Sequence, residues 1–225
     1  MKKIICLLLA IATVFVFVSC GEPCAVHVDN DNDNKCDVCK IDYVSPANVI
    51  FNMVADSNPT GVKTVTEAAY DGVSYIGVYE TVIYDDGSFE YSFTQQRPVH
   101  IDEDIDEPYV EEEGKVVYEN GVYTLNGVEV NGAPDVAYLN IKSAITKENI
   151  TEVTVDSAGR ELNAKMSAAV CKAVFGIDVN AESVDLTVKT NGARLHQIII
   201  SYENAQGVVV TAQTSFAYTP VAKDV

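Results

Sequence analysis

The residues best suited to do chemistry lie between positions 24 and 39, where two pairs of metal-binding side chains flank a short acidic stretch. Cys24 and His27 form one pair, Cys36 and Cys39 form the other, and two residues separate the members of each pair. This spacing lets both side chains of a pair point at one ion, so the four residues could complete a tetrahedral structural zinc site. A disulfide among these cysteines and a solvated linker without metal are the alternative interpretations.

A second candidate cation site overlaps the first. Asp29, Asp31 and Asp33 alternate along the intervening stretch, as the first ligands of an EF-hand calcium loop do. Asn34 stands where that loop requires glycine, and Lys40 stands where it requires a bidentate glutamate. A complete EF-hand is therefore not expected, and a weaker calcium loop is the remaining hypothesis for these carboxylates.

The start of the chain has the pattern of a secretory signal. Lys2 and Lys3 precede an uncharged apolar run that ends at Val18. This run is shorter than the roughly 20 residues of a membrane-spanning helix. Residues 1–19 are therefore predicted to be a signal peptide, which places the mature protein outside the cytoplasm.

The junction that follows the apolar run carries a cysteine between two small residues, Ser19 and Gly21. It resembles the bacterial lipoprotein box. This resemblance implies that Cys20 becomes the mature N-terminus and carries acyl chains such as palmitate, which would anchor the protein to a membrane at the cell envelope or surface. An ordinary cleaved signal with an incidental cysteine is the alternative. Residues 20–44 would then form a lipidated, Cys/His/Asp-rich collar.

Residues 45–225 are predicted to form one domain that combines helices and strands. Ser45 and Pro46 are residue types preferred at the cap and first position of a helix, and an apolar stripe follows over residues 49–54. A second short helix is predicted over residues 167–175, which are rich in alanine and precede a glycine. These two helices must bury their apolar faces against another layer.

Most of the remaining domain has the alternation of antiparallel strands. Residues 88–94 alternate aromatic and polar side chains, and Asn-Gly dipeptides at 120–121, 126–127 and 191–192 predict tight turns. The order of elements predicts an α+β fold, with a curved antiparallel β-sheet (a half-barrel) covered by the two helices.

The chain is strongly acidic, with 15 basic and 33 acidic residues and a net charge of −18. This balance argues against nucleic acid as a partner. Eight of the acidic residues fall within residues 102–113, which are predicted to be a solvated loop because like charges repel. The sequence does not indicate an oligomeric state.

No catalytic residues are predicted. The sequence contains no nucleophile elbow, phosphate loop or dinucleotide fingerprint. His196 falls within a predicted strand, and Cys171 has the setting of a small buried hydrophobic residue. The aromatic residues between positions 75 and 93 could be a core seam or the wall of a ligand cavity. We therefore expect a non-enzymatic protein.

The layout of residues 45–220 resembles the bacterial lipoprotein-carrier superfamily, whose curved half-barrels hold lipid tails in an apolar cavity. Asn-Pro-Thr-Gly at residues 58–61 and Lys-Thr-Asn-Gly at residues 189–192 resemble a family of bacterial lipoproteins without an assigned activity. These resemblances imply an envelope-anchored lipoprotein that binds an apolar or lipid-like ligand in the concavity of the sheet. The alternative is a surface interaction or structural module with a filled core and no ligand.

Overall fold

The computed structural model describes residues 27, 35–70, 72–99, 109–131, 144–175, 179–204 and 207–223. The chain divides into two compact units, Met1–Asn48 and Val49–Val225, and each is described by itself. The predicted signal peptide, the lipidation site Cys20, the metal ligand Cys24 and the carboxylates Asp29, Asp31 and Asp33 lie outside the described residues.

Within the described residues, eleven antiparallel strands form one open sheet, in which the first and last of these strands are neighbours. The strands are β1 (Gly61–Tyr70), β2 (Val73–Ile83), β3 (Phe89–Pro98), β4 (Tyr109–Glu119), β5 (Val122–Leu125), β6 (Val128–Val130), β7 (Ile150–Val155), β8 (Glu161–Ser167), β9 (Ser183–Thr190), β10 (Leu195–Glu203) and β11 (Val209–Ala217). Their order across the sheet is β6-β5-β4-β3-β2-β1-β11-β10-β9-β8-β7. Two meanders therefore meet where β1 pairs with β11, and β6 and β7 form the edges.

Two short helices accompany the sheet within the described residues. Helix α1 (Pro46–Ala55) begins where the Ser45 hydroxyl accepts a hydrogen bond from the Asn48 N–H at 3.2 Å, as the sequence predicted. Helix α2 (Ala168–Phe175) follows β8 directly and packs near β8 and β9. Neither of these helices is long and apolar enough to cross a membrane.

The predicted α+β class, with a sheet covered by two helices, is wrong. The described residues form a predominantly β structure, because α1 and α2 have only 10 and 8 residues, whereas the sheet has eleven strands. Helical periodicity was recognised at the right places, but such short segments do not form a helical layer comparable to the sheet. The sheet is curved and open.

Two of the three predicted Asn-Gly dipeptides form two-residue hairpin turns, whereas Asn191 and Gly192 belong to a four-residue connection between β9 and β10. Asn120 and Gly121 have φ angles of 53° and 83°, and Asn126 and Gly127 have φ angles of 49° and 81°. Two consecutive left-handed residues define the turn that matches the twist of antiparallel strands. These turns connect β4 to β5 and β5 to β6.

Part of the acidic segment is a strand rather than the predicted solvated loop. Strand β4 begins at Tyr109, so three glutamates of the cluster lie within the sheet. Glu111 and Glu113 are exposed on one face, and Glu112 is half-buried on the other, where Arg97 of β3 provides a counter-charge. Alternation separates these like charges, and the ion pair offsets the charge that faces inwards.

The core lies on one face of the sheet, which we call the inner face and define by Thr64 at its centre. Thr64 pairs with Thr214, and their buried hydroxyl groups are 2.9 Å apart. Directly paired residues in antiparallel strands project to the same side. The same row continues through Ile198, Val188 and Leu162, which are at most 1% exposed. Strands β8–β11 therefore form a packed half of the inner face, to which α2 contributes the buried Cys171.

Candidate functional site

Three of the four predicted metal ligands lie together in the first unit. The ligand atoms of His27, Cys36 and Cys39 all lie within 4.8 Å of one another, and the Cys39 Sγ is 3.5 Å from the His27 Nδ1. Cys36 and Cys39 are not joined to each other by a disulfide. This His/Cys/Cys group could bind a metal ion, since thiolate and imidazole are the donors that zinc prefers.

A tight turn places the two cysteines on the same side of the chain. The Cys36 N–H donates to the Ile41 carbonyl at 2.9 Å, and the Lys40 N–H donates to the Cys36 carbonyl at 2.8 Å. Lys40 adopts a φ of 60°, a left-handed conformation that reverses the chain immediately after Cys39. The His27 ring lies against Tyr43, with 5.2 Å between the ring centroids.

The inner face has a second half, on β2–β5, that is not fully buried. The row that begins at Thr64 continues through Tyr79, Phe93 and Gly114. Tyr79 and Phe93 are half-exposed, whereas Ile198 in the same row on the other half is buried. We call this part the open half of the inner face. The described residues thus cover one half of a continuous apolar surface much more completely than the other.

Aromatic side chains dominate the open half. Phe89 packs against Tyr118 at 5.3 Å between ring centroids, and Tyr118 packs against Tyr123 at 4.7 Å. Phe93 lies 6.1 Å from Tyr91 and 6.5 Å from Tyr79. The six rings thus form two groups of three, Phe89–Tyr118–Tyr123 and Tyr79–Phe93–Tyr91, with distances at which aromatic pairs attract each other.

Two glycines let these rings lie close to the sheet. A Cβ atom on Gly114 would be 2.5 Å from the Phe93 ring. On Gly77 it would be 2.6 Å from the Thr66 hydroxyl oxygen and 2.8 Å from the Tyr79 ring. The absence of a side chain at these positions allows the Tyr79 ring to lie over Gly77 of its own strand and the Phe93 ring to lie over Gly114 of β4.

A chain of hydrogen bonds crosses the open half beside the aromatic cluster. The Tyr79 hydroxyl donates to the Gln95 Oε1 at 3.1 Å, and the Gln95 Nε2 donates to the Glu112 Oε2 at 3.0 Å. The Arg97 Nε then donates to the Glu112 Oε1 at 2.7 Å. Burial raises the pKa of Tyr79, and a hydrogen bond from Thr66 opposes this rise. The Tyr79 hydroxyl therefore keeps its proton and its hydrogen bond to Gln95.

An open cleft of about 360 Å³ adjoins this polar chain. It lies at the end of the inner face near the β1–β2 hairpin, and its lining is mainly apolar. Its walls are formed by Ala68, Tyr70, Tyr75, Gln96, Arg97, Pro98, Asn204 and Val208. An amphipathic molecule could therefore contact aromatic rings and reach a polar group at the same place.

Two further titratable groups are the half-buried Tyr202 of β10 and the buried Cys171 of α2. Burial raises the pKa of Tyr202 to about 12, and the nearby Tyr79 and Cys171 contribute to this rise because like charges would repel. Burial also raises the pKa of the Cys171 thiol to about 11. Cys171 is fully buried, as predicted, and its protonated thiol is a poor nucleophile.

A second open cleft, of about 480 Å³, lies beside helix α1 and the β9–β10 turn. The Tyr218 hydroxyl on its wall donates to the Leu195 carbonyl at 2.8 Å, and the Arg194 guanidinium lies 5.1 Å from the centre of the Tyr218 ring. These two contacts pair the polar groups on the cleft wall with one another and hold the chain in place after β11. We therefore explain this cleft by the packing around Tyr218 and assign it no ligand.

Sequence reasoning recognised the aromatic strands but missed the polar chain beside them. The sequence predicts no role for Gln95 or Arg97, and Glu112 falls within the predicted solvated loop. The signal that could have found them is the continued alternation of β3, in which Gln95 and Arg97 follow Phe89, Tyr91 and Phe93 on the same face. His196, predicted within a strand, lies exposed on β10.

Comparisons with known proteins give weak likenesses only. No family model matches the chain, and no curated protein matches it. LprF from Mycobacterium bovis shares 13% identity over 80% of this chain and 97% of that chain, with a TM-score of 0.41. The S-type phycobiliprotein lyase CPES from Guillardia theta shares 8% identity over 79% and 99%, with a TM-score of 0.32.

A DUF1329 family protein from Desulfovibrio piger shares 9% identity over 80% of this chain and 96% of that chain, with a TM-score of 0.28. At such identities and TM-scores these neighbours carry no argument about family, ligand or activity.

Proposed function

We propose that the protein binds an apolar or amphipathic, lipid-like ligand on the open half of the inner face. The observation that carries this proposal is the unequal coverage of one continuous surface. Inner-face side chains of the packed half such as Leu162, Val188 and Ile198 are at most 1% exposed, whereas the Tyr79 and Phe93 rings of the open half stay partly exposed. Contiguous exposed apolar patches are uncommon on soluble proteins and generally mark binding sites.

The chemistry of the open half favours a ligand with both an apolar and a polar part. The aromatic cluster offers apolar surface, and the cleft beside Tyr75 and Arg97 extends it to the polar chain. Glu112 neutralises Arg97, so the site does not depend on a strongly charged ligand. We therefore favour binding in an open cleft over binding in a closed cavity.

The test is titration with a dansyl-labelled fatty acid, monitored by fluorescence. We expect saturable binding that weakens at least about tenfold in Phe93→Ala and in Tyr75→Ala, because a buried aromatic contact contributes roughly 1.5–3 kcal/mol. Val117→Ala is the matched control, since Val117 lies on the opposite face of β4. Absence of saturable binding, or an equal loss in Val117→Ala, would contradict the proposal.

We further propose that the protein is anchored to a membrane through a lipid on Cys20, as the signal-like start of the chain indicates. Cys20→Ser should abolish incorporation of an alkyne-labelled palmitate analogue and move the protein from the membrane to the soluble fraction. Cys171→Ala is the control, because Cys171 is buried in the sheet domain and should not affect acylation. Membrane association that survives Cys20→Ser would rule out this anchor.

A further inference from the structure

We propose that His27, Cys36 and Cys39 bind one zinc ion, and that this ion holds the segment around the Cys36–Cys39 turn in its fold. This site is separate in chemistry from the proposed ligand site and does not depend on it. Cys24, the fourth predicted ligand, lies outside the described residues, so the proposal rests on the other three side chains.

The distances agree with tetrahedral zinc. With Zn–S bonds of about 2.3 Å and Zn–N bonds of about 2.0–2.1 Å, two ligands of one tetrahedron are about 3.6 Å apart for sulfur and nitrogen and about 3.8 Å apart for two sulfurs. The Cys39 Sγ and the His27 Nδ1 are 3.5 Å apart, and all three ligand atoms lie within 4.8 Å of one another. An ion could therefore be bound with shifts of about 1 Å or less.

The burial pattern of the turn also points to a metal. Cys36 is completely buried, whereas the apolar side chains of Val38 and Ile41 beside it are 72% and 52% exposed. A small segment stabilised by a hydrophobic cluster would show the reverse, with valine and isoleucine inside. The turn instead buries a sulfur atom and directs its aliphatic residues outwards, which is expected when a metal replaces the hydrophobic core.

The donor set selects zinc over calcium or magnesium. Two thiolates and one neutral imidazole are soft or intermediate ligands, whereas calcium and magnesium require oxygen. Two thiolates also balance the charge of Zn²⁺, so Cys36 can be buried without an uncompensated charge.

The test is metal analysis of the full-length protein, purified under reducing conditions and equilibrated with a zinc buffer. We expect about one zinc ion per chain by inductively coupled plasma mass spectrometry. Cys36→Ser and His27→Gln should each weaken zinc binding at least about tenfold, because even groups that only support metal ligands typically contribute 10–100-fold. Cys171→Ala, which removes the buried cysteine of α2, should keep its zinc.

Cobalt substitution provides a second measurement, which reports the ligand type and the geometry of the site. Co²⁺ should give a thiolate charge-transfer band and the strong d–d bands of a tetrahedral site, and both should weaken in Cys39→Ser. Far-UV circular dichroism of the sheet shows whether each variant has folded. The proposal is overturned by less than about a tenth of a zinc ion per wild-type chain, by an octahedral cobalt spectrum, or by a Cys36–Cys39 disulfide in the reduced preparation.

Discussion

Replacing Leu186 by alanine is expected to lower the free energy of unfolding by about 2–5 kcal/mol. Leu186 is 1% exposed at the centre of the packed half, between Ile200 of β10 and Ala164 of β8. Its truncation removes apolar contacts and leaves a cavity that the neighbouring strands cannot close. This loss is a large part of the roughly 5–15 kcal/mol that stabilises a typical domain.

Two further variants test whether the loss of stability depends on burial in the packed half. Val209→Ala, at a position that is 62% exposed, should change the free energy of unfolding by no more than about 0.5 kcal/mol. Phe93→Ala, in the open half, should cost less than the 3–5 kcal/mol typical of a buried phenylalanine, because its ring is already half-exposed. Urea denaturation followed by circular dichroism measures all three. Equal losses for Leu186 and Phe93 would mean that the two halves are packed alike.

Replacing Gly77 by alanine is expected to destabilise the protein by about 1–3 kcal/mol. Glycine-to-alanine changes often stabilise a protein by about 0.4–1 kcal/mol when the new methyl group fits, because they restrict the unfolded chain. Here the methyl group would contact Thr66 on one side and Tyr79 on the other at less than 3 Å, so the steric cost exceeds that gain. Displacing Tyr79 would also break its hydrogen bond with Gln95.

A double-mutant cycle shows whether the contact with Thr66 causes the destabilisation in Gly77→Ala. Thr66 is the direct cross-strand partner of Gly77, so Thr66→Ala should recover part of the loss in the Gly77→Ala background. Gly114→Ala is the comparison variant and should cost less, because only the Phe93 ring opposes its methyl group and that ring can turn away. A Gly77→Ala protein as stable as the wild type would contradict the close contact between Gly77, Thr66 and Tyr79.

The sequence predicts local structure well because local rules determine it. Alternation identifies which residues of β3 share a face, and Asn126-Gly127 determines a turn because both residues accept a positive φ. The start of α1 follows from the serine cap at Ser45. None of these inferences requires knowledge of which strands are neighbours.

The sequence does not predict what lies opposite each face, because that depends on strand order. Phe93 and Ile198 both belong to alternating apolar strands, yet one is half-exposed and the other is buried. Periodicity contains no signal for this difference. Glu112 was misassigned for a similar reason, since a run of acidic residues reads as a loop until Arg97 is known to lie beside it. The predicted α+β class was wrong because two short helices were treated as a layer comparable to the sheet.

The pairing of β1 with β11 also has a consequence for how the chain folds. Thr64 and Thr214 meet at the centre of the sheet although 150 residues separate them in the sequence. Each meander can form from neighbouring hairpins, but β1 keeps an unpaired edge until β11 has emerged. Contacts between distant parts of a chain slow folding, and unpaired strand edges promote association with other chains. We therefore expect the interval before β11 docks to be when the protein most needs protection from aggregation.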